Sequence, residues 1–401
     1  MKIIVQKFGG TSVKDDAARH QAMKHIRYAV DKGYKVAVVV SAIGRKGAPY
    51  ATDSLLNLVD GEDTKLSKRE LDMIVSVGEV ISSAVMAELL DKNGFKTTAM
   101  TGPDAGFQTN NDYQNAKVLN VDTDNIMEAF KEKDVVVVSG FQGLSASGHV
   151  TTLGRGGSDT SAALLGAALG AERVDIFTDV SGMMTADPRI VKKAKFLKSV
   201  SYEEVANMAH EGAKVIHPRA VEVAQQAHLP LHIRSTWDSV TESGTLVTDR
   251  DLKISHYRTV VGVTQQKDLT QYTIASADMS TEKVLNLLAD NGISVDFINI
   301  SPDKVVFNLD HQKSKEADKL FEENKVKVSR INNCVKIAII GSGIAGTPGI
   351  TAKMVSTLHK ENIRILQTTD SHTTIWVLVN GSDMDKAVNA LHDAFLLQED
   401  N

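Results

Sequence analysis

Short β-branched runs alternate with longer helical segments through about residue 250, and this alternation restricts the fold more than any other feature of the chain. Ile3 to Gln6, Val36 to Val40, Val135 to Ser139 and Val174 to Thr178 read as buried strands. Asp16 to Lys32, Lys68 to Asn93 and Asp159 to Leu169 have helical length and periodicity, with Gly33, Gly94 and Gly170 placed to stop them. Strands joined through helices run parallel, so the pattern predicts an α/β fold with a mostly parallel sheet and helices on both faces.

Beyond residue 250 the elements shorten. Strand (Gln271 to Ala275), helix (Thr281 to Asn291), strand (Ser294 to Ile300), strand (Val305 to Asn308), helix (Ser314 to Glu323) and strand (Val326 to Ile331) give a ferredoxin-like βαββαβ order. The pattern restarts at Val335 with a strand, a helix (Gly349 to Lys360), strands at Arg364 to Gln367 and Thr374 to Asn380, and a helix from Met384 to Phe395. A shift of 70 positions (363 minus 293) lays Ile293 on Ile363, Val295 on Ile365, Ser301 on Ser371, Val305 on Ile375 and Leu309 on Val379. Two copies of one small module are expected.

At 401 residues the chain has room for two or three domains, and 42% apolar with 24% charged residues suffices for a packed core. A formal net charge of -5 offers no basic field for nucleic acid or anionic lipid, so neither is an expected partner. The single cysteine, Cys334, excludes an intramolecular disulfide and a cysteine-based zinc site, and fits a reducing cytoplasm. Met1 to Val5 is too short an apolar run for a signal peptide, and no stretch approaches the roughly 18 apolar residues of a membrane span. A cytosolic protein is expected.

Three glycine-bearing segments carry candidate chemistry. In KFGGTSV (Lys7 to Val13), between a strand and a helix, Gly9 and Gly10 let backbone amides approach an anion and Lys7 supplies a compact charge, so phosphate is the natural ligand. It is not a Walker A loop, because no GK[ST] follows at the required spacing. In TTLGRGGSDTSA (Thr151 to Ala162), Gly154, Gly156 and Gly157 surround Arg155, and Ser158 or Asp159 caps the next helix. Arg155 suits a planar carboxylate and Asp159 an ammonium, a pairing that fits a zwitterionic amino acid. In FTDVSGMMTADPR (Phe177 to Arg189), Thr178 and Asp179 leave a buried strand at its carboxyl end, where α/β sheets bind nucleotides, and Arg189 could reach phosphates.

Glu79, in a polar break of an apolar helix, and Lys214, in GAKVIHP, each read alone as a solvated charge. The 12 histidines form no HExxH pair, His217 before Pro218 reads as structural, and no protein metal cage is expected. GSGIAG (Gly341 to Gly346) matches a dinucleotide fingerprint, with Glu361 twenty residues on. Only about 60 residues follow it, too few for that fold, and Pro348-Gly349 delays the helix.

Taken together, KFGGTSV, VVSAIG with Thr52-Asp53-Ser54-Leu55, Glu79, TLGRGGSDTSA, TDVSGMMTADPR and GAKVIHP occur in an order that resembles the aspartate kinase family over the whole chain. The resemblance implies an amino-acid-kinase (carbamate-kinase-like) catalytic domain over 1–250 and two ACT modules over 258–332 and 335–401. LQTTDSHTTIWVLV (Leu366 to Val379) looks most like the diaminopimelate-sensitive aspartokinases of Gram-positive bacteria. The implied reaction moves the γ-phosphoryl group of MgATP to the side-chain carboxylate of L-aspartate, for lysine, diaminopimelate, threonine and methionine synthesis.

By resemblance, Lys7, Gly9, Gly10 and Asp159 are catalytic, and Ser41, Thr52, Glu79, Arg155, Gly156, Gly157, Ser158 and Ser161 line the aspartate pocket. Lys7, Phe8, Gly9, Gly10, Thr178, Asp179, Met184, Arg189, Lys214 and Val215 bind ATP, with magnesium held by phosphate oxygens and water. Where Met184 stands the family often has an aromatic residue. The resemblance implies a homo-oligomer through the ACT modules and an amino-acid effector, meso-diaminopimelate before lysine, near Asp278, Ser280, Asp296, Asn299 and the facing Thr347. Another amino-acid kinase, a non-catalytic amino-acid sensor and, from GSGIAG, a dehydrogenase are the alternatives.

Overall fold

Residues 1–213, 215–249, 259–344, 346–395 and 397 are described in the computed structural model of the protein. They fall into two units, Met1–Met183 with Phe196–Ala209 and Lys214–Lys253, and Met184–Lys195 with His210–Ala213 and Ile254–Asn401.

The first unit runs β1 (Ile3–Phe8), α1 (Asp16–Asp31), β2 (Lys35–Val40), α2 (Thr52–Asn57), α3 (Lys68–Val75), α4 (Val77–Lys92), β3 (Thr97–Met100), β4 (Phe107–Thr109) and β5 (Val118–Val121). It continues with α5 (Asp124–Ala129), β6 (Val135–Ser139), β7 (Gln142–Ser145), β8 (Val150–Thr152), α6 (Gly157–Ala168) and β9 (Val174–Thr178). β10 (Ser199–Ser201), α7 (Tyr202–His210), α8 (Pro218–Gln226), β11 (Leu231–Ser235) and β12 (Thr245–Thr248) follow. Eight strands form one sheet in the order β10-β12-β11-β9-β1-β2-β6-β3, and β11 with β12 is its antiparallel pair. β5-β4-β7-β8 make a smaller sheet.

Strand alternation sorts the two faces. On β1, Ile4 and Phe8 enter the core with α1 (Ala22, Ile26) and α4 (Met86, Leu90). Val5 and Lys7 point the other way, toward α6. A Cβ on Gly166 of α6 would lie 2.6 Å from Val174 Cγ2, so this small-residue helix lies close against the sheet. Gly33, Gly94 and Gly170 end their helices with φ of 85°, 80° and 58°, as the sequence requires.

The expectation that no stretch could span a membrane needs correction. α3 and α4 together, Lys68–Lys92, are long and apolar enough to do so by length and composition. Half of its most apolar 18 residues are nevertheless buried within the protein, and its inward face carries Asp72, Ser76, Glu79 and Ser83.

The second unit contains β13 (Gly262–Ala275), α9 (Thr281–Asp290), β14 (Asp296–Ile300), β15 (Lys304–Asp310), α10 (His311–Glu323), β16 (Ser329–Ile340), α11 (Ile350–Lys360), β17 (Gln367–Asp370), β18 (Thr374–Asn380) and α12 (Met384–Ala394). They build one antiparallel sheet, β14-β15-β13-β16-β18-β17. β15 and β18 keep the repeat offset of 70 at both ends, 374 minus 304 and 380 minus 310. The two copies interleave. Gly262–Gln266, placed above in the first module, pairs with Lys336–Ile340 of the second, so the boundary at 332–335 does not separate two sheets. Gly341 leads out of this antiparallel sheet and its helix starts only at Ile350, which removes the dinucleotide reading.

Met184–Lys195, placed above in the catalytic domain, groups with the second unit because that sheet and α12 hold it. Val263 N–H donates to the Thr185 carbonyl at 2.8 Å, and the Thr185 hydroxyl meets His392 Nε2 at 2.9 Å.

Candidate active site

Parallel neighbours β1, β2, β6 and β9 end on one edge of the sheet, where the segments after them converge. Lys7, nearly at the end of β1, pairs with Asp159 of α6 at 2.6 Å, and both side chains are nearly buried. A Cβ on Gly10 would lie 2.3 Å from the Gly44 carbonyl oxygen and 2.7 Å from that of Ala42, so the loop after β2 can pack over it only because it is glycine. Ser41 N–H donates to the Phe8 carbonyl at 3.1 Å, and Thr52 opens α2 just beyond.

Two residues of the glycine loop after β1 differ from their expected roles. Gly9 N–H is committed to the Phe177 carbonyl at 3.3 Å and ties the loop to β9. The Phe8 side chain is in the core, stacked on Phe177 with ring centroids 4.6 Å apart. The Gly10 carbonyl accepts from Gly44 N–H at 3.0 Å, so Lys7 and the Gly10 N–H are the groups of this loop that keep the expectation of an anion ligand.

The Arg155 turn is tightly held. Gly154 and Gly156 have φ of 73° and 69°, a region that disfavours side chains. A Cβ on Gly156 would stand 2.0 Å from the His217 ring, and one on Gly157 would stand 2.6 Å from Phe141. His217 N–H donates to Asp159 Oδ2 at 3.3 Å, so the Lys7–Asp159 pair and the Arg155 turn share an anchor. Arg155 itself is exposed, and Ser158 is buried where Gly140 follows β6. Ser161, expected in the pocket, is fully buried. Its hydroxyl donates to the Gly157 carbonyl at 2.9 Å and accepts from Phe141 N–H at 3.0 Å, which makes it a fastening for the helix start.

Glu79 lies in the first turn of α4 and is 3% exposed. Oε1 accepts from Ala42 N–H at 3.0 Å, next to the carbonyl that crowds Gly10. Oε2 is buried and has no hydrogen-bond partner among the described residues. Burial pushes the Glu79 carboxyl up to about 8. A half-satisfied buried carboxylate is costly, and a ligand ammonium is what would complete it.

At the end of β9 the Thr178 hydroxyl donates to Asp179 Oδ1 at 3.1 Å, and Arg45 pairs with Asp179 Oδ2 at 3.0 Å. Arg45 carried no motif and was missed in the sequence. Val215 belongs to the first unit, and Lys214 lies outside the described residues. Met184 and Arg189 group with the second unit, where the Arg189 guanidinium is paired with Asp187 at 2.9 and 2.7 Å.

The proposed effector residues also distribute differently from expectation. Asp296 and Asn299 are on edge strand β14, whereas Thr347 lines a cavity of about 630 Å³ beside the opposite edge strand β17, with Asp370, Ser371 and His372. Thr347 therefore does not face them within one chain, because each copy of the module presents its own helix start. Asp278 and Ser280 stand at the start of α9. Asp296 already carries a cation, since buried Lys336 binds it at 2.6 Å and Glu211 at 3.0 Å. Burial opposes the Lys336 charge, but Glu211 and Asp296 together hold its pKa above the ordinary value.

The sequence matches the amino acid kinase family over residues 2–235 and the ACT domain over residues 329–393. Aspartokinase 1 of Bacillus subtilis (strain 168) is 50% identical over 407 residues, covering 100% of both chains. The aspartokinase of Geobacillus stearothermophilus is 37% identical over 409 residues, covering 100% of this chain and 98% of its own. Among solved structures, Escherichia coli aspartokinase III in complex with aspartate and ADP (R-state) superposes with a TM-score of 0.79 at 26% identity, over 98% of this chain and 100% of that one. The same enzyme with lysine and aspartate (T-state) gives 0.77 at 27%, over 98% and 99%.

Proposed function

Because the chain belongs to the aspartokinase family, an assignment its full-length relatives establish, we propose that it builds 4-phospho-L-aspartate from L-aspartate and MgATP where β1, β2, β6 and β9 end. The single observation that carries the site is Glu79, a buried carboxylate with one oxygen on Ala42 N–H and the other without a partner among the described residues. An α-ammonium would satisfy it, and Arg155, on its rigid glycine turn, would take the α-carboxylate as a fork of donors. The side-chain carboxylate of aspartate then points away from both, toward Lys7.

This acceptor is already ionised at neutral pH, so the reaction needs no strong base; it needs alignment and neutralisation of charge on the group in flight. Lys7 supplies that neutralisation. Asp159, anchored through His217 N–H, fixes where its ammonium stands. Thr178 and Asp179 would hold the nucleotide, and Arg45 would exchange Asp179 for phosphate oxygens when ATP arrives. Magnesium, carried on phosphate oxygens and water, would add charge neutralisation there.

The product would feed synthesis of diaminopimelate and lysine, threonine and methionine, with meso-diaminopimelate the favoured inhibitor and lysine next. The lysine-bound E. coli relative supports an amino-acid effector. Ile298 and Ile300, exposed on edge strand β14, support assembly of the ACT sheet with a second copy. The test is ATP- and magnesium-dependent hydroxamate formation from L-aspartate, with L-glutamate as control and each candidate effector added in turn. Aspartate-specific hydroxamate is expected, with strongest suppression by meso-diaminopimelate. No product, with amino-acid binding retained, would overturn the reading.

A further inference from the structure

Asp72 is a fully buried carboxylate on α3 that the proposed chemistry does not touch. Its Oδ1 accepts from the Thr152 hydroxyl at 2.6 Å and its Oδ2 from Thr152 N–H at 2.9 Å, while both oxygens share Gln114 N–H at 3.1 and 3.0 Å. No ion pair to Asp72 is found among the described residues. Burial raises its pKa against these hydrogen bonds, as expected for a carboxylate held by donors alone.

What Asp72 grips is the root of the Arg155 turn. Thr152 is the last residue of β8, and Leu153, Gly154 and Arg155 follow it directly. Gln114 is held left-handed at φ 68°, a strained state for a residue with a side chain, and its carbonyl lies 2.9 Å from where a Gly154 Cβ would be. Asp72 thus clamps the strand that leads into the turn and the strained backbone packed beneath it. On the other side, Arg219 donates to the Leu153 carbonyl at 2.9 Å.

The same helical run carries Glu79. Ser76, between α3 and α4, keeps helical angles of φ -63° and ψ -21°, so Asp72 and Glu79 lie seven residues apart (79 minus 72), about two turns along one face. One helical rod therefore bears both the half-satisfied Glu79 carboxyl and the clamp on the Arg155 turn.

We propose that Asp72 is a positioning residue for substrate recognition, fixing Arg155 relative to Glu79 so that the carboxylate and ammonium of one α-amino acid are met together. The proposal rests on the assignment of Arg155 and Glu79 to those two groups. Asp72→Asn keeps the shape but removes the negative charge to which Gln114 N–H, Thr152 N–H and the Thr152 hydroxyl all donate, and even in its better orientation turns the amide NH₂ toward Gln114 N–H, which loosens the turn.

The experiment is steady-state kinetics of Asp72→Asn, Thr152→Val and Arg155→Ala in the full-length enzyme, with aspartate and ATP each varied and thermal melts run alongside. Misplacing a recognition group raises the aspartate KM by about tenfold to about a hundredfold, while the ATP KM stays within about twofold. Thr152→Val removes one hydroxyl and moves the aspartate KM in the same direction by about threefold or more. A folded Asp72→Asn enzyme whose aspartate and ATP KM are unchanged, or rise alike, overturns the proposal. Should Asp72→Asn fail to fold, an unchanged aspartate KM in Thr152→Val overturns it instead. If Arg155→Ala raises the aspartate KM and the other two do not, the site assignment stands and only the role of Asp72 fails. If Arg155→Ala leaves it unchanged, the site assignment itself is refuted.

Discussion

Replacing Glu79 by glutamine should change how aspartate binding depends on pH. In the ligand-free protein burial lifts this carboxyl from 4.5 to about 8, so ionising it inside the fold costs about 4 to 5 kcal/mol at about 1.36 kcal/mol per unit. The proposed pairing with the aspartate ammonium requires it ionised, so on that reading each binding event below pH 8 expels a proton. The wild-type aspartate KM should then be flat above about pH 8 and rise about tenfold per unit as pH falls toward 6. Glutamine cannot be ionised. The Glu79→Gln enzyme should bind weakly at every pH with that slope gone, and its deficit against wild type should widen from pH 6 to 8. Stability moves the opposite way. A raised folded-state pKa contributes stability that is full below about 4.5 and lost as pH rises through about 8, so ligand-free Glu79→Gln should overtake wild type in urea stability toward pH 8 by roughly 3 kcal/mol or more. The assay is aspartate KM from pH 6 to 9 for both enzymes at saturating ATP, with urea melts at the same points. A wild-type KM that stays level from pH 6 to 8.5, or a slope that persists in Glu79→Gln, would refute the assignment of the ammonium to this oxygen.

Lys7→Ala should lower kcat by about a hundredfold or more, through lost charge stabilisation. It also strands the nearly buried Asp159, at about 3 kcal/mol, so Lys7→Ala/Asp159→Asn should regain stability in urea but not turnover; recovery of turnover would refute the role of Lys7. Gly156→Ala places a methyl 2.0 Å from the His217 ring at φ 69°, and should lower the melting temperature and raise the aspartate KM together, at a cost of roughly 2 to 4 kcal/mol. A variant with wild-type Tm and KM would show that the turn is loose. Lys336→Met leaves the largely buried Glu211 without its cation, and should destabilise by about 3 kcal/mol, mostly restored by Lys336→Met/Glu211→Gln. A neutral single variant in a denaturant titration would mean that the pair contributes nothing.

Backbone periodicity and glycine placement were legible without coordinates. Val36 to Val40 and Val135 to Ser139 are strands with those bounds or within one residue of them, and the repeat offset of 70 survives residue for residue in β15 and β18. These features are local: a β-branched run or a φ above zero is decided by a residue and its near neighbours. Lys7, Arg155 and Asp159 were legible for another reason, since their motifs carry a chemical type at fixed spacing, whereas Glu79 read alone as a solvated charge and entered the pocket only through the family resemblance. Which of them touch was decided only by the tertiary fold. Asp72 meets Thr152 across 80 residues, Arg45 meets Asp179 across 134, and the Thr236 hydroxyl meets Ser12 across 224, so no window of sequence holds both partners. Folding also decided the corrections. Gly9 N–H and Ser161 were read as ligand-facing because their residue types allow it, but a buried polar group must be satisfied by whatever the fold brings to it. The chain thus wrote its strands, turns and reactive side chains into the sequence, while the donors that hold them, and the buried Glu79 oxygen without a partner among the described residues, follow from packing at long range.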